Sequence, residues 1–174
     1  MTRAILQWEM LVEEKYDEVD LEVITSVRGG KGCWYYQNDK QVNTFVLAYD
    51  PDLVIIGGIS HRKDTASIHR VIDQIRAGSD AEILLMSGPV GRQGDLRTNA
   101  DFNIPPASGD FRLELADLSD RVDVGYIDMK SDWGRYIQSS GQLYDYFLRD
   151  PVHANARGRQ VLARLMAHYF GGWR

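Results

Sequence analysis

The sequence predicts an α/β fold, a three-layer sandwich built on a parallel sheet. Three observations carry that prediction. Helical and extended patterns alternate along the chain, in the order helix, strand, helix, strand, helix, strand, helix, strand, helix. The run Leu53-Val54-Ile55-Ile56 is apolar without interruption, which suits a central parallel strand covered on both faces. Glycines follow several of the expected strands, at Gly29-Gly30, Gly57-Gly58 and Gly88. Ligands approach the main chain beyond the carboxyl ends of such strands.

Ala4 to Tyr16 reads as an amphipathic helix, with Ile5, Trp8, Leu11 and Val12 at helical spacing and Glu9, Glu13 and Glu14 between them. Leu21-Glu22-Val23-Ile24 is a short β-rich run. Gly29-Gly30-Lys31-Gly32 breaks the pattern. Trp34 to Ala48, polar and aromatic, is expected as helix, and Asp52 to Gly58 as strand. Thr65 to Ala77 sets Ile68, Val71, Ile72 and Ile75 on one face of a helix. Glu82 to Met86 is the next strand, ending in Ser87-Gly88-Pro89. Val90 to Ser108, rich in Gly, Pro and Asn, reads as a long loop. Phe111 to Leu118 reads as helix, Val122 to Met129 as strand and Ser131 to Ser140 as helix. Gly141 to Asp150 reads as loop, and Asn155 to Phe170 as the last helix.

Composition narrows the function classes. At 174 residues, one domain with a real core is expected. Residues are 44% hydrophobic and 26% charged, a globular balance. The net charge of −5, with no Lys/Arg-rich block, argues against nucleic acid or an anionic membrane as partner. No apolar run approaches the roughly 20 residues that span a bilayer. Met1 to Met10 lacks an apolar signal core, so the cytoplasm is the default location. A single cysteine, Cys33, excludes an intrachain disulfide and a multi-cysteine metal site. Neither a metal nor a cofactor is expected.

The stretch Arg149-Asp150-Pro151-Val152-His153 is the most chemical in the chain. A carboxylate that accepts an imidazole N–H fixes the tautomer and leaves the other ring nitrogen as a general base. Pro151 stiffens the link between them. The same stretch can also be read as a helix N-terminus with an incidental histidine.

The order of motifs resembles the SGNH/GDSL hydrolase family of esterases and lipases, which has a flavodoxin-like fold. Asp150-Pro151-Val152-His153, followed by a helix, matches its Asp-x-x-His block. Gly29-Gly30-Lys31-Gly32 matches its oxyanion glycine block. Pro51 to Ile56 resembles the strand before its Gly-x-Asn block. The resemblance implies one SGNH hydrolase-like domain over residues 1–174. It implies His153 and Asp150 as catalytic residues, and Gly32 as an oxyanion donor. Ser60 stands where the family has asparagine, and His61 beside it is a further oxyanion or substrate-binding candidate. The family's Gly-Asp-Ser block is absent, and with it the nucleophile and the first strand. Cys33 and, more weakly, Ser87 are alternative nucleophiles; packing beneath the loop is the other reading of Cys33. Trp34, Tyr35, Tyr36, Trp133 and Tyr136 are candidates to line a groove or, alternatively, core residues.

The implied function is cleavage of a carboxylic ester, with a small-molecule ester or an acetylated carbohydrate as substrate. The alternative is a catalytically inactive module on the same scaffold, holding carbohydrate or a protein partner. A phosphate-binding flavodoxin-like protein is disfavoured by the lack of a Walker lysine–hydroxyl pair.

Overall fold

A computed structural model describes residues 2–16, 18–38, 40–57, 62–89, 102 and 104–171. The chain divides into two compact units: Ser26–Gly88 with Pro106–Asp128, and Met1–Thr25 with Pro89–Pro105 and Met129–Arg174.

The first of these holds the sheet. Strands β1 (Leu53–Gly57), β2 (Glu82–Met86) and β3 (Gly125–Ile127) run parallel in the order β1-β2-β3. Their register pairs Ile55 with Leu84 and Leu84 with Gly125. The α/β class with a parallel sheet therefore holds. The expected central place of the Leu53–Ile56 run does not. Among the described residues β2 is the central strand and β1 an edge, and of that run only Ile56 is buried, Leu53, Val54 and Ile55 being half-buried. Uninterrupted apolar patterning marked the strand here but not its position in the sheet, and three of its four apolar side chains are only half-covered.

Helix α4 (Thr65–Gly78) shows why these residues form this element. Asp64 caps it, its carboxylate accepting the Ser67 N–H at 2.9 Å. Ile68, Val71, Ile72 and Ile75 form one buried stripe, and burial of each stabilises by roughly 1.5–3 kcal/mol. They join Ile83 and Leu85 of β2, Val42 and Cys33, and Leu115 and Leu118 of α5 (Phe111–Val122) in one core. Helix α5 stops where Asp123 takes a left-handed conformation, φ 50°, so β3 is shorter than the Val122–Met129 run suggested.

The expected helix over 34–48 is broken instead. It comprises α2 (Cys33–Tyr36), α3 (Gln41–Phe45) and a 3₁₀ turn, Leu47–Tyr49. The side-chain amides of Gln37 and Asn38 both donate to the Trp34 carbonyl, at 3.2 and 2.8 Å. Such local bonds take up carbonyls that a continuing helix would use.

The other unit is mainly helical. Helix α1 (Thr2–Lys15) packs Trp8 and Val12 against Ala163 and Ala167 of α7 (Ala156–Gly171). The two alanines leave room for the indole, which also meets Phe170 edge-on. Helix α6 (Met129–Ser140) supplies Trp133 and Ile137 to a cluster with Phe102, Tyr144, Phe147 and Val161.

Two expectations fail in this unit. Leu21–Ile24 is not a strand: among the described residues no ladder partner meets it, and the Leu21 N–H goes to Glu13 Oε1 at 3.1 Å. Leu21 and Val23 still pack inward while Glu22 and Ile24 face out, so the alternation reports a face without a sheet. Gly141 to Asp150 is not a plain loop. It forms a 3₁₀ turn, Tyr144–Phe147, then β4 (Leu148–Asp150), which pairs antiparallel with β5 (His153–Ala154). The predicted Val90–Ser108 loop lies mostly outside the described residues.

Candidate active site

The β4–β5 pair is a tight hairpin, and its register sets Asp150 directly across from His153. His153 Nδ1 lies 2.7 Å from Asp150 Oδ1 and 2.9 Å from Oδ2. The turn holds this arrangement through the Val152 N–H, which donates to Asp150 Oδ1 at 3.1 Å. Arg149 Nε adds a contact to Oδ2 at 3.2 Å. The Asp150 carboxyl is held down to about 2, first by the Val152 N–H and, against a smaller effect of burial, by the imidazole and Arg149. It is ionised at neutral pH. An ionised carboxylate only accepts hydrogen bonds, so Nδ1 carries the proton. In the neutral ring Nε2 then holds a free lone pair. The side chains are 53% (His153) and 36% (Asp150) exposed.

Asn155 fixes the hairpin to the helix behind it. Its Nδ2 donates to the carbonyls of Tyr146 at 2.8 Å and Leu148 at 3.1 Å. Its Oδ1 accepts the Gly158 N–H at 3.1 Å, and its own N–H donates to the Phe147 carbonyl at 3.0 Å. Asn155 thus caps α7 and anchors the strand that carries Asp150. Gly158 lets them meet. A Cβ there would press on the Phe147 carbonyl oxygen and stand 3.0 Å from Ala154 Cβ and 3.1 Å from Trp133 Cη2.

In the sheet-bearing unit, Arg28 to Lys31 form a turn closed by Lys31 N–H to Arg28 carbonyl at 3.1 Å. Gly30 takes φ +67° there, a conformation that favours glycine. Gly32 follows in extended backbone ahead of α2. Ser60 and His61 lie outside the described residues.

Comparison with solved structures gives long matches at low identity. A catalytic mutant of Axe2, an acetylxylan esterase from Geobacillus stearothermophilus, is matched at 13% identity over 98% of this chain and 81% of that one, with a TM-score of 0.72. A putative GDSL-like lipase from Parabacteroides merdae is matched at 14% identity over 97% of this chain and 81% of that one, TM-score 0.71. The two-domain esterase CEX, active on acetylated mannans, is matched at 13% identity over 97% of this chain and 42% of that one, TM-score 0.70. The chain has an SGNH/GDSL hydrolase-like fold. No protein-family model matches the sequence, and no curated protein does. That first Axe2 mutant is altered at an aspartate, and two further matches are catalytic mutants of the same enzyme, one at a serine and one at the histidine three positions after that aspartate.

Within this SGNH-like fold the remaining candidates sort by burial. Cys33 is buried, and its thiol is pushed up to about 12, by burial first and then by the Asp64 carboxylate. It stays protonated at neutral pH and packs in the core, which removes it as an activated thiolate. Ser87, also buried, brings its Oγ to 3.1 Å from Asp128 Oδ1. Of the aromatics, Trp133 is core, and the Tyr36 hydroxyl donates to the Ser26 carbonyl. Trp34 and Tyr35 are half-buried, and Tyr136 is exposed.

Sequence reasoning missed a polar cluster at the carboxyl ends of β2 and β3. Arg112, buried, grips Asp110 with Nε at 3.0 Å and Nη2 at 2.7 Å, and its Nη1 lies 3.7 Å from Asp128. The Tyr126 hydroxyl donates to the Arg112 carbonyl at 3.2 Å. The legible signal was Asp110-x-Arg112, a charge pair at the start of the segment read only as a helix. Among the described residues no group of three metal-ligating side chains comes together, and no helix is long and apolar enough to cross a membrane.

Proposed function

We propose that this chain carries the acid–base half of an SGNH-type hydrolase that cleaves a carboxylic ester, the acetyl ester of a carbohydrate being the favoured substrate. The observation that carries the reading is the pairing of His153 Nδ1 with the Asp150 carboxylate at 2.7 Å. It is supported by the same Asp-x-x-His spacing at the mutated catalytic positions of the Geobacillus esterase. In this reading His153 Nε2 takes the proton of an attacking hydroxyl, and Asp150 stabilises the imidazolium that forms. His153 then returns the proton to the leaving alcohol. Gly32 N–H is the oxyanion donor on the strength of the sequence resemblance, with Ser60 and His61 as accessory candidates. The nucleophile is a serine of a Gly-Asp-Ser segment, which the 174 residues do not contain.

p-Nitrophenyl acetate hydrolysis tests this. A version extended at its N-terminus by an apolar strand ending in Gly-Asp-Ser should turn over. His153→Ala should abolish that turnover, and Asp150→Asn should lower it by on the order of 10⁴. The 174-residue chain alone should show no acyl-enzyme burst. An extended, folded chain without activity, or activity indifferent to His153, overturns the reading. The second reading, an inactive carbohydrate-binding module, is favoured by the missing Gly-Asp-Ser and by Ser60 in place of asparagine. Its signature is saccharide binding without turnover in the extended chain.

A further inference from the structure

The surface around the Gly29-Gly30 turn is electropositive in a chain of net charge −5. Arg28, Lys31, Arg62 and Lys63 are all exposed. Among the described residues none of the four forms an ion pair, whereas Arg112, Arg121, Arg135 and Arg149 all do. Three of the four rest on aromatic rings. Lys31 Nζ lies 4.9 Å from the centre of the Trp34 ring and 5.4 Å from that of Tyr35. Arg62 Cζ lies 4.2 Å from the Trp34 ring, and Arg28 Cζ 3.8 Å from the Phe45 ring. Lys31 and Arg62 therefore share one indole and stand no farther apart than the sum of their distances to it.

Bringing two like charges onto one ring is unfavourable unless something offsets the repulsion. The ring quadrupole offsets part of it and fixes both cations in place, but it leaves their full charge directed at solvent. A carboxylate would have cancelled it. The nearest acid in sequence, Asp64, is engaged as the cap of α4. Arg62 and Lys63 also hold left-handed backbone at φ 54° and 56°. Two successive side-chain-bearing residues in that region carry strain, which persists where surrounding contacts hold it.

We propose that Lys31 and Arg62 on Trp34, flanked by Arg28 and Lys63, form a subsite for the carboxylate of a uronate-bearing glycan. Cations fixed on aromatic rings suit an anionic sugar: the charges take the carboxylate, and Tyr35 offers ring surface to the sugar. Nucleic acid is disfavoured by the net charge of −5 and the lack of a Lys/Arg-rich block. The acetyl group of the ligand rests on the esterase reading, because Gly32 directly follows Lys31. The subsite itself does not.

Calorimetric titration of the intact chain decides the matter. The ligands are trigalacturonate, xylotriose and inorganic sulfate. The subsite predicts that trigalacturonate binds about ten-fold more tightly than xylotriose, as two exposed charge pairs allow. That advantage should vanish at high salt and in the double variant Lys31→Gln/Arg62→Gln. It should survive in Arg121→Gln, a surface change elsewhere. Equal binding of the two saccharides, absence of binding by both, or an unchanged double variant overturns the subsite. Sulfate binding as tight as trigalacturonate reduces it to a simple anion site and overturns the glycan assignment. Binding does not use His153, so an inactive enzyme that still selects trigalacturonate refutes only the esterase reading. An active enzyme without the selectivity refutes only the subsite.

Discussion

Gly158→Ala tests the packing that holds the Asp150–His153 hairpin, because two effects of opposite sign meet there. In an ordinary helix interior, alanine is favoured over glycine by about 1 kcal/mol. Here the new methyl group would press on the Phe147 carbonyl oxygen and stand 3.0 Å from Ala154 Cβ and 3.1 Å from Trp133 Cη2. Trp133 cannot yield, since it is fully buried and edge-packed on Tyr144 and Phe147. The start of α7 must move instead. That movement breaks the Asn155 N–H bond to the Phe147 carbonyl, worth about 1 kcal/mol, on top of an overpacking cost of typically 1–3 kcal/mol. The net expectation is a loss of roughly 1–3 kcal/mol after the propensity gain. For a chain of this size each kcal/mol moves Tm by about 2–4 °C, so thermal unfolding followed by circular dichroism resolves the sign. Gln160→Ala, exposed on the same helix, should stay within about 0.5 kcal/mol. A Gly158→Ala variant that melts higher than the parent would refute the close-packing argument and the role given to Gly158.

Asn155→Ala removes the cap of α7 together with one bond to the hairpin and one to the 3₁₀ turn before it, and should cost about 1–3 kcal/mol in urea unfolding; a loss below about 0.5 kcal/mol would show that the cap holds nothing. Because the folded Asp150 carboxyl lies below its ordinary value, its stabilising contribution is complete above about pH 4 and fades as pH falls toward about 2. Stability of the parent should therefore drop more steeply across that window than stability of Asp150→Asn, and parallel profiles would contradict it. Cys33, buried and protonated at neutral pH, should react with a thiol-specific disulfide reagent only on unfolding. Prompt reaction of the folded chain would place the thiol at the surface.

Much of the fold was legible because its strongest elements are written in periodicity. The stripe Ile68, Val71, Ile72, Ile75 and the run Glu82–Met86 both appear within a residue of their expected limits. What failed to read was set by partners. Leu21–Ile24 alternates like a strand, yet a strand needs a neighbouring ladder, and its first N–H was taken by Glu13. Trp34–Ala48 has helical composition, but Gln37 and Asn38 spend their amides on the carbonyls behind them. The hairpin at 148–154 escaped because three residues are too few to show a period of two. At the candidate site, the Asp-x-x-His spacing pointed to two side chains that do meet, at 2.7 Å. Asn155 and Gly158, which hold it, were invisible, because one acts through carbonyls and the other through the absence of a side chain.

The hairpin that joins Asp150 to His153 has a consequence for how this pair arises and endures. Its ends are three residues apart, so the chain entropy lost in bringing carboxylate and imidazole together is that of one tight turn. The contact is assembled from local instructions and does not wait for the long-range pairing of a parallel sheet. The register that sets one residue opposite the other is written within the hairpin itself, not in β1, β2 or β3. What the pair depends on is a short cassette: the turn, the asparagine that ties it down, and the glycine that lets the helix come close.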